Sequence, residues 1–135
     1  MGSEPQFTAQ VNSRNGVASI ALRGELDLAT VPDLEGHIAP FESDGVSAIM
    51  LDLRELTFID LVALHSLVRA RERAKTNGQR LILVGARPSA RRLFELTCTE
   101  YLLDDPDTVG VLNRFVCSET REAGQSLEAY LNADA

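Results

Sequence analysis

A chain of 135 residues, 44% of them apolar and 24% charged, is long enough to bury one hydrophobic core and too apolar to stay disordered. Its formal charge of −7 argues against nucleic acid as a partner, because binding a polyanion depends on neutralising phosphates with Lys and Arg. With no apolar run of about 18 residues and no charged-then-apolar leader, neither membrane insertion nor secretion is expected, and the expected location is the cytoplasm.

Residues 1–6 read as a disordered lead and residues 7–135 as a single domain. Residues 7–11 and 17–22 are strand-like runs joined through Asn15-Gly16, a pair that tolerates positive φ and favours an antiparallel hairpin. Residues 24–27 lead into a helix expected over 29–41, with Leu34, Ile38 and Phe41 on one face and Pro32 tolerated in its first turn. Ile49, Met50, Leu51 and Leu53 then form an apolar run of strand length, followed by an expected tight turn at Thr57-Phe58-Ile59-Asp60. Beyond Asp60 the apolar spacing becomes helical. Ala63, Leu64, Leu67, Val68, Ala70 and Ala74 share one side, with His65, Ser66, Arg69, Glu72 and Arg73 on the other. Val62 falls among the polar residues and Leu61 at the margin, so both are expected to be exposed.

Asn77-Gly78 stops that helix, residues 81–84 make a further buried strand, and residues 89–96 a short helix whose Ala90, Leu93, Phe94 and Leu96 are expected to face inward. From about residue 104 the pattern is atypical. Asp104-Asp105-Pro106-Asp107 reads as a turn or cap cluster, 109–116 as a helix or a strand, and 119–132 as a helix. Strands alternating with helices point to the α/β class with a largely parallel sheet, which the first hairpin makes mixed.

Four pieces in this order make the chain resemble the STAS domain: the early hairpin, GELDLAT at 24–30, LDLRELTFID at 51–60 and RPSARRLFELT at 87–97. That family includes bacterial anti-sigma factor antagonists and the cytoplasmic tail of sulfate transporters. The resemblance, from about residue 7 to 103, implies a mixed central sheet of about five strands with helices packed mainly on one face. It further implies a non-enzymatic module that binds an anti-sigma factor or related kinase-fold protein and so frees a sigma factor. In the family the turn aspartate is usually followed by Ser-Ser-Gly, and the first or second serine accepts phosphate from the partner kinase. Here the residues are Leu61, Val62 and Ala63, none with a hydroxyl. The usual phosphate switch is therefore absent from its usual place. Two other settings of the family remain open, a STAS scaffold in a homo- or hetero-oligomer and a small-molecule, lipid-sensing or transporter-accessory protein.

The expected partner surface comprises Asp27, Asp60, Leu61, Val62, His65 and Arg69. Asp60 also reads as a structural N-cap worth about 1 kcal/mol, and Asp27 as the end of a turn. Ser66 and Thr57 are the hydroxyls near the turn on which a switch of another kind would act. Cys98 stands where the family commonly has glycine, and Cys98 and Cys117 read either as a redox pair or as ordinary free thiols. His37 and His65 fall on different helices without metal-ligand spacing, and no nucleophile elbow, phosphate loop or dinucleotide fingerprint is present, so no metal, cofactor or catalysis is expected. The basic runs Arg69-Arg71-Arg73-Lys75 and Arg87-Arg91-Arg92 read as solvated faces.

Overall fold

Strand β1 (Phe7–Arg14) turns through Asn15 and Gly16, both in the left-handed region, into the antiparallel strand β2 (Val17–Leu26). The computed structural model describes residues 6–103 of the chain. The lead at 1–5, the 104–107 cluster, the segment 109–116, the helix expected over 119–132 and Cys117 lie outside the described residues. β2 runs four residues past the expected end because Gly24 lets β1 begin against it. A Cβ at Gly24 would collide with the Gln6 carbonyl, which instead accepts a 2.8 Å bond from the Glu25 N–H.

Helix α1 (Val31–Asp44) also outlasts its expected end at residue 41. Pro40 forfeits one backbone bond on an exposed face, and the helix continues until Gly45 adopts φ 72°. Strand β3 (Ala48–Ile59) pairs parallel with β2, and helix α2 (Leu61–Thr76) leads to strand β4 (Arg80–Val84), parallel to β3. Helix α3 (Pro88–Leu96) and a single 3₁₀ turn at Glu100–Leu102 follow. The sheet order β1-β2-β3-β4 advances in one direction, so two right-handed crossovers must put α1 and α2 on the same face. On that face Ile20, Leu22, Ile49, Leu51, Leu53 and Leu83 pack with Leu34, Ile38, Leu64, Leu67 and Phe94 in one cluster. The opposite face buries Val17, Met50, Ile82 and Val84, which is why these strands read as unbroken apolar runs.

Four strands occupy the described residues where about five were expected, and Leu103 adds a single parallel bridge to Leu83 at the β4 edge. The expected tight turn at 57–60 is strand up to Ile59, with Asp60 alone linking β3 to α2. The reason lies in the register. From the Ala21–Asp52 pair to the Glu25–Phe58 pair β2 advances four residues and β3 six, so β3 carries two bulges. Leu53, Leu56 and Ile59 thereby reach the core at spacings of three, and Phe58 turns outward.

Leu96 corrects another expectation. It lies about 200° around α3 from the buried Phe94 and is 72% exposed instead of facing inward. Past the helix, the Cys98 N–H donates to Glu95 O at 3.1 Å and the Thr99 N–H to Phe94 O at 2.8 Å, the Schellman pattern. Cys98 holds φ 59° at the position where that pattern favours glycine.

Candidate functional site

Because the β2 and β3 ends pair through Leu26 and Ile59, the residues that follow emerge side by side. The Asp60 N–H donates to Leu26 O at 3.1 Å, and the Asp60 carboxylate then serves two segments. Its Oδ1 accepts from the Ala63 N–H at 2.8 Å as the N-cap of α2, and its Oδ2 accepts from the Leu28 N–H at 3.2 Å. One side chain fastens the β2–α1 loop to the helix start, where the unpaired amides favour negative charge. Asp27 is engaged within its own loop. Its Oδ1 accepts from the N–H groups of Ala29 and Thr30 at 3.0 and 3.2 Å. The Asp27 N–H donates to Thr30 Oγ1 at 2.9 Å, and that hydroxyl donates to Glu25 O at 3.0 Å.

Leu28 sits within this rigid frame, 69% exposed, beside Leu61 at 49% and Val62 at 42%. Three aliphatic side chains in solvent around one carboxylate form the kind of patch that marks a protein contact. His65 and Arg69, both exposed, continue from Leu61 at one-turn intervals along α2. The structure thus joins Asp27, Asp60, Leu61 and Val62 at one end of the sheet and sets His65 and Arg69 along the adjoining helix.

Ser66 departs from its expected place on the polar side. It is 1% exposed, and its hydroxyl donates to Glu35 Oε2 at 2.8 Å because α1 lies against this part of α2. Arg73 completes the clasp, donating to Glu35 Oε1 at 2.8 Å and to Glu42 Oε2 at 2.9 Å. Burial works against the guanidinium charge, but the bonds and attraction of Glu42 and Glu35 outweigh it and raise the Arg73 pKa. So Arg73, within one of the basic runs read as solvated, ties two helices together. Thr57 is exposed and donates to Gly24 O at 3.2 Å. Cys98 is exposed and, among the described residues, forms no disulfide. His37 sets Nδ1 2.7 Å from Asp33 O, and among the described residues no group of three or more His, Cys, Asp or Glu could hold a metal ion. Among the same residues no helix is long and apolar enough to cross a membrane.

The model of the STAS domain matches residues 8–102. The chain belongs to the STAS domain family. It is 32% identical over 78 residues to the anti-sigma-B factor antagonist of Staphylococcus aureus, an alignment covering 58% of this chain and 72% of that protein. The crystal structure of an anti-sigma factor antagonist from Mycobacterium paratuberculosis superimposes with a TM-score of 0.65 at 30% identity, covering 75% of this chain and 86% of the other. SpoIIAA in its unphosphorylated form has a TM-score of 0.68 at 20% identity, covering 79% and 95%, which supports the fold alone.

Within this STAS domain, sequence reasoning missed the exposed Leu28 at the site and, in the expected turn at 57–60, the outward aim of Phe58. Leu28 had a visible signal, a lone large aliphatic residue in the polar loop Asp27–Thr30. Phe58 had none, because its outward aim depends on the two bulges.

Proposed function

We propose that this STAS domain is a non-enzymatic regulatory module of the anti-sigma factor antagonist type. It binds an anti-sigma factor, a kinase-fold protein, through the Asp27 loop and the first turn of α2, and its place of action is the cytoplasm. The observation that carries the reading is the exposed Leu28, Leu61 and Val62 set around the doubly bonded Asp60 carboxylate. Burying one such side chain against a partner contributes roughly 1.5–3 kcal/mol. A preorganised frame keeps that gain from being lost to ordering the loop.

A phosphate ester would bring about −1.5 to −2 charges beside Asp60 and expel a partner. Leu61 and Val62 offer no acceptor, so binding at this surface is constitutive or controlled elsewhere. The test is calorimetric titration with the purified anti-sigma factors of the source organism, with and without ATP. Binding by at least one of them, with no phosphate gained at residues 61 and 62, is the expected result. Failure of every one to bind overturns the reading.

The same exposed aliphatic side chains favour one alternative, self-association into a STAS scaffold. Sedimentation separates the two: a monomer at micromolar concentration argues for the antagonist reading, and a dimer lost on Leu61→Asp argues for the scaffold.

A further inference from the structure

Past Asp60, toward α3, the surface does not become polar. β4 pairs with β3 only as far as Asp52, so among the described residues Leu53–Ile59 has no strand neighbour on that side and α3 flanks it instead. Between them lies an open cleft of about 320 Å³ lined by Phe58, Ile59, Ala90, Arg92, Leu93 and Leu96. Phe58, 50% exposed, and the still more exposed Leu96 both line it, and Phe58 stands two residues before Asp60. Arg92 is the charged lining residue, exposed and without hydrogen bond or ion pair among the described residues. In a chain of net charge −7, an apolar cleft whose own charge is cationic complements a segment that is both apolar and acidic.

We propose that this cleft is a second part of the partner surface, receiving from the anti-sigma factor an apolar side chain that packs on Phe58, Leu93 and Leu96 and a neighbouring carboxylate that pairs with Arg92. The proposal rests on the antagonist reading above and deepens it by naming the chemistry of the bound segment. Its volume sits at the bottom of the range of about 300–1,000 Å³ usual for small-molecule pockets, and its open form suits one inserted side chain.

The experiment titrates the purified anti-sigma factor that binds the full chain against Leu61→Asp, Leu96→Ser and Arg92→Glu, at low and high salt. Leu96 and Arg92 are exposed, so these variants keep the fold, and unchanged thermal melting checks that they do. Leu96→Ser is expected to weaken binding about 10-fold or more. Arg92→Glu is expected to weaken it about 10-fold at low salt, with the loss shrinking at high salt as the charge is screened. Wild-type affinity in Leu96→Ser and Arg92→Glu, with Leu61→Asp impaired, overturns the cleft and leaves the antagonist reading standing. Wild-type affinity in all three overturns the cleft and also the assignment of the first turn of α2 as the contact surface.

Discussion

Leu61 and Val62 in the first turn of α2 face solvent, whereas Ser66, one turn on, is sealed against α1 with its hydroxyl on Glu35. On one helix two apolar residues are outside and a polar one is inside, the reverse of what residue type alone suggests. The inversion has a local cause at each end. Next to the first turn lies the Asp27 loop, which Asp60 holds beside the helix by a bond from the Leu28 N–H. At Ser66 the facing helix brings a carboxylate that is itself paired with Arg73. A buried hydroxyl is tolerated when it is bonded, and an exposed aliphatic pair is retained where something else is to cover it.

The largest expected effect breaks the outer half of this comparison. Leu61→Asp with Val62→Asp should reduce affinity for the anti-sigma factor by about 100-fold or more, since two apolar burials of roughly 1.5–3 kcal/mol each are replaced by charges that must be desolvated. Melting should stay within a few degrees of wild type, and a collapse of stability would mean that these residues belong to the core. Ser66→Asp breaks the inner half. It sets a carboxylate against Glu35 at a buried position and should cost at least about 2 kcal/mol, read as a fall in Tm on the order of 10 °C. A kinase that placed phosphate on Ser66 of the folded protein would contradict this account.

Asp60→Ala sharpens the comparison, because it removes both the helix cap and the link to Leu28. A loss of about 1–2 kcal/mol in denaturant unfolding is expected, together with weaker partner binding as the loop loosens. A loss confined to stability would assign Asp60 a purely structural role. Cys98→Gly is the smallest change and has the opposite sign. Relieving a left-handed side chain in the Schellman turn should stabilise the fold by up to about 1 kcal/mol, with binding unchanged.

Much of the architecture could be read from the residues because the periods are clean where the core is simple. The hairpin at Asn15-Gly16, α2 with its stop at Asn77-Gly78, and β4 follow from local rules. Leu61 and Val62 were also legible, since their helical phase put them off the core side. What escaped depended on distant partners. Ser66 reads as polar surface until Glu35, 31 residues away, is placed opposite it. Leu56, Phe58 and Ile59 break alternation, so Thr57–Asp60 looks like a turn until the β2 register reveals two extra residues. In α3 the spacing points four apolar residues inward, although this nine-residue helix buries only Ala90 and Phe94.

Those two surplus residues in β3 have a consequence for how this surface can vary. Residues 48–52 are locked between strands on both sides, but beyond them, among the described residues, β2 is the one paired strand, with Arg87 Nε donating to Arg54 O at 2.9 Å from the other side. Removing one residue from Arg54–Thr57 would rotate the tip of the strand and swing Phe58 toward the interior while leaving the central ladder in register. The same slip would turn Ile59 out of the core, so the register of this tip sets at once which side chain is offered to a partner and which one is held in the interior.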